Sequence, residues 1–485
     1  MSPKSILFVF LAYTFLLFVV SWITSKKADN DSFFVGNKVS PWYIVAYGMI
    51  GASLSGVTFI SIPGDVGSTQ FSYMMIVFGY LLGYFTIANI LLPLYYKLNL
   101  TSIYTYLENR FGFWSYKTGA FFFLLSRIIG ASFRMFLVVN VLQIFVFDAW
   151  NIPFAVTVAI CIILIILYTF KGGIKTIVWT DTLQTTFMLA AVIISVFLIK
   201  EDLNVSFRNM ISDVFDREET KMLFWEWKDK RFFLKQFFSG MFITIVMTGL
   251  DQDMMQKNLS CRNLKDAKKN MYWMSSMLVP VNFLFLALGA ILFYYIQTKG
   301  INAPALTDDL FPTIALKHLS PFAGIVFIIG LISAAYSSAD SALTSLTTSF
   351  CIDILNINKN TILDEKQKKR IRNIVHFLFA GLLLIVVLVF KAINNHSVIS
   401  MLFTAAGYTY GPLLGLYSFG LFTKRKIQDK WAPIVAVLSA LCCYFINTNS
   451  EVLFDGFEFG FFILIVNGML TFLGLFVISN TNSKS

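Results

Sequence analysis

Residues 334 to 350 read AAYSSADSALTSLTTSF, and they lie inside a stretch that is otherwise as apolar as a membrane span. The polar side chains recur every three or four residues, which places them on one face of a helix. An ionised carboxylate in mid-membrane costs several kcal/mol, so we expect Asp340 to face a partner or a cavity. The polar residues of this face are Ser337, Asp340, Ser341, Thr344 and Thr348, with Ser338 at its margin.

These side chains offer only oxygen ligands. Hydroxyl and carboxylate oxygens, without nitrogen or sulfur ligands, suit a hard cation. A small monovalent ion held by neutral oxygens and one carboxylate would be sodium (Na+). For a single hydroxyl, the alternative is a hydrogen bond to its own helix or to a neighbour. Six polar groups on one helix face, Asp340 among them, favour the cation site.

The composition of the chain places this helix in a membrane protein. Of the 485 residues, 57% are hydrophobic and only 13% are charged. A soluble protein would carry roughly twice that charged fraction. A soluble multidomain enzyme is therefore disfavoured, and we expect an all-α polytopic membrane protein. Residues 5–24 are too long for a signal-peptide core and are interpreted as a span.

The net charge of +11 is distributed unevenly. Lysine and arginine cluster in short loops that alternate along the chain, the positive-inside pattern of a multi-pass protein. This predicts insertion in the lipid bilayer of the plasma (inner) membrane, with the N-terminus outside and the C-terminus cytoplasmic. It argues against nucleic acid as a partner. The basic loops lie at Lys26, Lys171, Arg262, Lys366 and Lys424.

Splitting the apolar stretches at polar breaks predicts about thirteen spans in one integral domain, residues 1–485. The predicted spans are 5–24, 41–64, 71–98, 114–148, 153–170, 176–199, 235–256, 271–297, 320–351, 372–392, 398–421, 431–448 and 459–480.

Two of these spans, the second and the seventh, contain glycines among polar residues: GMIGASLSG from Gly48, and GMFITIVMTGLDQDMMQ from Gly240. Glycine-interrupted spans at corresponding places in two halves indicate a transporter binding site. An unwound span frees backbone carbonyls that can coordinate a cation. The alternative is close helix packing through small residues.

Other charged residues lie at membrane depth. Asp181 could supply a second acid or act as a helix N-cap. Arg127 is expected to snorkel or to pair structurally. Arg134 lies deeper and requires a carboxylate, from the protein or from a substrate. Asp251 and Asp253 are expected to organise a gate or loop.

Four motifs, in chain order, resemble the sodium/solute symporter family: KGGIKTIVWTDTLQ, DQDMMQKNLSCRNLKDAKKN, SSADSALTSL and GYTYGPLLGLYSFGLFTKR. The segment FFVGNKVSPW resembles the family's amino-terminal signature, and the likeness runs from about residue 31 to 426. It implies a leucine-transporter-like fold with an inverted five-plus-five repeat. One extra helix within 1–30 would precede the core, whose two repeats would lie in 41–256 and 235–426, and two helices within 431–485 would follow it.

The resemblance also implies sodium ligands. The common site would use the carbonyls of Gly51, Leu54 and Ala334 and the hydroxyls of Ser337 and Ser338. Gly51 stands where the family usually has alanine, and this is expected to matter little because only the carbonyl is used. An additional sodium site in some members matches Asp181, Ser337, Asp340 and Ser341, although Asp340 stands where the best-matching pattern has serine.

For the substrate, SLSGVTFISIPG is similar to the corresponding stretch of bacterial sialic acid symporters. Ser55 and Thr58 match positions whose hydroxyls touch substrate, and Arg134 matches an arginine that binds its carboxylate. The alternative for Arg134 is a structural pair with Asp340 or another acid.

The sequence therefore predicts a sodium-coupled secondary active symporter, not an enzyme, that imports sialic acid or a related sugar acid by alternating access. The alternatives are a neutral sugar, polyol or amino acid as substrate, or a solute sensor with a transporter fold.

Overall fold

The structure is a computed structural model that describes residues 2–24, 33–34, 38–169, 173–357, 362–393 and 397–480. The predicted basic loops at Lys26 and Lys171, and part of the FFVGNKVSPW segment, lie outside the described residues.

The described part of the chain is almost entirely helical. The main helices are α1 Pro3–Thr24, α2 Trp42–Thr69, α3 Tyr73–Thr86, α4 Phe113–Leu142, α5 Phe154–Thr169, α6 Gly173–Leu203, α7 Phe233–Thr244, α8 Gln252–Leu259, α9 Leu264–Lys299, α10 Pro321–Ser349, α11 Glu365–Ile393, α12 Val398–Phe422, α13 Ala432–Thr448 and α14 Ile463–Val477.

Shorter elements extend or connect these helices. Five-residue π-helical turns lie at Ile87–Leu91, Gln143–Phe147, Ile245–Gly249, Ile314–His318 and Phe350–Ile354. Short α-helices lie at Leu92–Lys97, Thr105–Arg110, Phe207–Phe215, Leu310–Thr313 and Ser450–Leu453. The 3₁₀ turns are Gln70–Ser72, Asp148–Trp150, Glu218–Thr220, Thr307–Asp309, Asp429–Trp431 and Gly460–Phe462, and strand β1 Lys426–Ile427 pairs antiparallel with β2 Ser479–Asn480.

The helices coincide with the predicted spans. Within the described residues, nine helices are long and apolar enough to cross a membrane, or ten if α7 and α8 form one bent span. One of the nine is the 56-residue unit Trp42–Lys97, which contains both α2 and α3. Counting α2 and α3 separately and the bent pair α7 and α8 as one span gives eleven helical units. The shorter α5 and the glycine-rich α12 also lie at predicted span positions and bring the number to thirteen, as predicted.

Both spans that were predicted to be interrupted are broken. Helix α2 contains Ser55 at φ 53° and ψ 178°, a non-helical conformation in the middle of the span. Helices α7 and α8 meet at an angle of 64°. A break of this kind releases backbone carbonyls from the helical ladder, and within a membrane these require a partner or a polar cavity.

The two breaks lie close to the buried centre of the bundle. Helix α10 packs against α2, α4 and α6, while α8 contacts α2, α6 and α10. Helix α1 lies outside this group, against α6 and α10. Helices α13 and α14 pack against each other and against α12. The division into an extra helix, a two-repeat core and two further helices stays a prediction.

Candidate binding sites in the membrane core

A central cavity lies beside the break in α2. Ser55 and Thr58 line it from α2, and Arg134 lines it from α4. Tyr84 of α3 and Asn282 of α9 supply further polar groups on the wall. The three residues that the sequence predicts as substrate ligands therefore lie around one cavity.

Arg134 is 7% exposed, and its Nε lacks a hydrogen-bond partner in the described part of the chain. The described residues place no carboxylate within salt-bridge distance of its guanidinium, so the alternative pair with Asp340 is not formed. A buried guanidinium with no carboxylate in contact with it favours binding of an anion. The cavity is where such an anion would bind.

Arg127 lies two helical turns from Arg134 on the same helix but, unlike Arg134, contacts carboxylates of the protein. Its guanidinium bonds the carboxylate of Asp253, and its Nη1 lies 4.0 Å from Asp251. All three side chains are buried. Of the two outcomes predicted for Arg127, the structure shows the structural pair.

Asp251 lies at the amino-terminal end of α8, beside Arg127. It caps this helix by accepting a hydrogen bond from the backbone N–H of Asp253 at 2.8 Å, and it also accepts the hydroxyl of Tyr410. With Arg127, these groups form a buried polar layer between α4, α8 and α12. The predicted gate-organising role of Asp251 and Asp253 is compatible with this layer.

A second space, here called the vestibule, adjoins the central cavity. The two spaces share Tyr73 and Ile399 as wall residues. The vestibule wall also carries Asp65, Lys230 and Arg231. The vestibule therefore lies between the central cavity and the hydrophilic segment 200–231, and Tyr73 and Ile399 stand between the two spaces.

The predicted common sodium site lies where α2 faces α10. Its five residues are buried. Ser338 Oγ lies 3.4 Å from the carbonyl of Ala334 and donates weakly to it, and Ser337 Oγ donates to Asp181 Oδ1 at 2.8 Å. The other two members, Gly51 and Leu54, flank the break at Ser55 from its amino-terminal side.

Gly51 matters for more than its carbonyl, which changes the expectation that an alanine would serve equally well. A Cβ at this position would lie 2.2 Å from Thr185 Oγ1 and 3.1 Å from Thr185 Cβ. Thr185 belongs to α6 and donates to the carbonyl of Asp181 at 2.7 Å. Glycine therefore allows α2 and α6 to approach closely beside the predicted sodium site.

The predicted additional site contains a cation from the protein. Lys257 Nζ of α8 donates to Asp181 Oδ2 at 2.7 Å, and both side chains are 1% exposed. Asp340 accepts the backbone N–H of Ser341 at 2.5 Å and interacts electrostatically with Lys257. The structure thus brings Asp181 and Ser337 together as predicted, and it adds Lys257.

Lys257 was missed because the motif DQDMMQKNLS was interpreted as the end of a span. The lysine lies 76 residues from Asp181 in sequence, so no spacing rule joins them. The available signal was the position of the lysine, one residue beyond the predicted span 235–256.

Comparison with known proteins identifies the family. The model of the Sodium:solute symporter family matches residues 33–429. The chain belongs to the sodium:solute symporter family. It is therefore a sodium-coupled solute symporter and not an enzyme, as predicted, and sodium and a solute are its transported partners.

Two curated relatives cover almost the whole chain. The sodium/sialic acid symporter NanT of Aliivibrio fischeri is 26% identical over 92% of this chain and 88% of the relative. The sodium/sialic acid symporter SiaT of Proteus mirabilis is 24% identical over 90% of this chain and 88% of the relative. The sodium-coupled monocarboxylate transporter 1 of Mus musculus is 24% identical over 81% and 64%, respectively.

Solved structures share the fold. A Na+-coupled sialic acid symporter in a substrate-bound outward-open state superimposes with a TM-score of 0.83 at 20% identity, covering 99% of both chains. The transporter Mhp1 in a closed conformation gives 0.53 at 16% identity, covering 93% of this chain and 94% of the other. The predicted leucine-transporter-like fold is confirmed.

Proposed function

We propose that this symporter imports sialic acid or a related sugar acid together with sodium. The observation that carries the proposal is Arg134, a buried guanidinium that lines the central cavity without a carboxylate from the described residues. A substrate carboxylate would bind it through two parallel hydrogen bonds. Ser55 and Thr58 would bind hydroxyl or amide groups of the same solute. The names of the relatives NanT and SiaT support this choice of substrate.

Sodium would bind between the break in α2 and helix α10. Its ligands would be the carbonyls of Gly51, Leu54 and Ala334 and the hydroxyls of Ser337 and Ser338. One cation bridging two helices stabilises the arrangement in which they lie together. Sodium binding would thus stabilise the state in which the cavity communicates with the vestibule, before the solute arrives.

The transport direction follows from the proposed topology. In the plasma (inner) membrane, with the N-terminus outside and the C-terminus cytoplasmic, the vestibule faces the outside and the α8 layer faces the cytoplasm. Inward movement would require the vestibule to close and the layer of Arg127, Asp251 and Asp253 to open. The sodium gradient makes release on the cytoplasmic side favourable.

The test is sodium-driven uptake of radiolabelled N-acetylneuraminic acid into proteoliposomes, with potassium replacing sodium as the control. We expect accumulation only with the sodium gradient. Excess unlabelled N-acetylneuraminic acid should compete, whereas N-acetylmannosamine, a neutral sugar, and pyruvate, a small monocarboxylate, should not. If folded protein gives no accumulation, or if the neutral sugar is transported instead, the sugar-acid proposal fails.

A further inference from the structure

Helix α8 places a lysine inside the cluster that the family resemblance assigns to additional sodium. Lys257 and Asp181 are each 1% exposed, and the ammonium lies 2.7 Å from Asp181 Oδ2. The other carboxylate oxygen, Oδ1, accepts the hydroxyl of Ser337 at 2.8 Å. Both oxygens of Asp181 are therefore engaged by groups of the protein.

A sodium ion beside Asp181 would have to share this carboxylate with the ammonium. Two cations on one buried carboxylate repel each other strongly, because little solvent screens them. Expelling Lys257 would leave an ammonium in the interior without its partner. The residues present do not fit an additional sodium ion at Asp181.

We propose that the Lys257 ammonium takes the place of the additional cation, so that this symporter couples a single sodium ion to each solute. The proposal rests on the proposed sodium site between α2 and α10. The local geometry supports it, because the Lys257 ammonium already neutralises Asp181. The nearby Asp253 is already paired with Arg127.

The ion pair also positions a ligand of the common site. Ser337 donates its proton to Asp181 Oδ1, which leaves the lone pairs of Ser337 Oγ available to a cation. Lys257 fixes Asp181, and Asp181 fixes the hydroxyl of Ser337. Lys257 is thus a positioning residue for the remaining sodium.

The first test counts sodium ions and needs no solute. Equilibrium binding of ²²Na+ to the purified wild-type protein should saturate at one ion per chain. Lys257→Met should raise this number to two because it leaves Asp181 to a mobile cation. The matched controls are Lys257→Arg, which keeps a cation, and Lys257→Met with Asp181→Asn, which removes both charges. Each control should bind one ion.

The number of sodium ions bound by the wild-type protein tests the proposal even if Lys257→Met fails to fold. Two sodium ions on the wild-type protein overturn the proposal. A folded Lys257→Met protein that still binds one ion overturns it as well, because Asp181 would then attract no sodium. No binding to the wild type would remove the common site and this inference together. One ion without uptake of N-acetylneuraminic acid supports the inference and refutes only the choice of solute.

A second measurement applies if the solute is a monoanion. One sodium ion and one monoanion carry no net charge, so an inside-negative potential of about 100 mV should leave the initial rate unchanged within roughly twofold. A severalfold acceleration by a valinomycin-imposed potassium diffusion potential would overturn the single-sodium stoichiometry.

Discussion

At the scale of single residues, two arginines of α4 show how a neighbouring carboxylate decides the role of a charge. Arg127 and Arg134 are seven residues apart and share a helix face. Arg127 is paired with Asp253, whereas Arg134 lines the cavity without an acid from the described residues. Breaking the first pair would leave a buried charge, and removing the second cation would remove a proposed ligand.

The first prediction separates these roles. Arg134→Gln should raise KM for the carboxylate substrate by roughly 10- to 100-fold, because hydrogen bonds to charged groups contribute about 1.5–3 kcal/mol. Arg127→Gln should instead lower stability by about 3–5 kcal/mol, because Asp253 loses its partner. Uptake kinetics and thermal melting of the purified variants measure the two effects. Arg208→Gln, at an exposed position, is the control; normal KM in Arg134→Gln would contradict the ligand role.

The second prediction concerns the hydroxyls of α10. Ser338→Ala removes one proposed sodium ligand and should raise the half-saturating sodium concentration about tenfold, a cost of about 1.4 kcal/mol. Ser345→Ala is the matched control, because that hydroxyl also donates to a carbonyl of its own helix, at 3.0 Å from Ala342. Sodium-dependent uptake at fixed solute measures both variants. Equal sodium dependence in the two would remove Ser338 from the site.

At the scale of the helices, close approach of α2 and α6 supports the sodium region. The sequence was sufficient to predict the break in α2 from its glycines and hydroxyls. It was not sufficient to predict which glycine lies against which helix. Gly51 was interpreted as a neutral replacement, and only the contact with Thr185 shows why a side chain does not fit there. Sequence patterns also do not predict the contact of Lys257 with Asp181, because these residues lie far apart in the chain and meet only when the helices pack.

The third prediction tests this contact. Gly51→Ala should destabilise the protein by about 1–3 kcal/mol, as overpacking does, and should weaken sodium binding. Thr185→Ala removes the nearest atom, Oγ1, so the double variant should recover part of the loss. Gly381→Ala is the control, since a Cβ there meets nothing within 4 Å. Melting temperatures of the four proteins form a double-mutant cycle, and additive losses would exclude the clash.

At the scale of the whole molecule, length and apolarity were sufficient for the number and order of the spans. The observed helices differ from the predicted spans where a polar turn interrupts a span. The predicted span 235–256, for example, consists of α7 and α8, which meet at 64°. The predicted cavity residues Ser55, Thr58 and Arg134 do converge on one cavity, because α2 and α4 are neighbours in the bundle. The vestibule and its polar contacts were not predicted, since they join loops far apart in sequence.

Those vestibule contacts hold three segments together. Asp65 of α2 accepts hydrogen bonds from Thr307 at 2.9 Å and Ser397 at 2.8 Å. Asp308, in the connection before α10, accepts the backbone N–H of Val398 at 3.1 Å. These bonds join α2 to the 307–309 turn and to the start of α12 beside the vestibule.

The fourth prediction is that ionisation of the buried Asp308 lowers the stability of the protein as the pH rises. Burial, reinforced by the nearby Asp65 carboxylate, raises the pKa of Asp308 from 3.8 to about 7. A raised pKa means that the folded protein binds the proton more tightly than the unfolded chain does. Asp308 therefore contributes stability at low pH that is lost as the pH rises from about 4 to 7.

Asp308→Asn imitates the protonated group and should remove this pH dependence. We expect the wild-type melting temperature to match that of Asp308→Asn near pH 4 and to fall below it by at least about 2 °C at pH 8. Asp455→Asn, at a fully exposed acid, is the control and should not diverge in this way. Parallel curves for the wild type and Asp308→Asn would show that folding does not raise the pKa of Asp308 and would contradict this prediction.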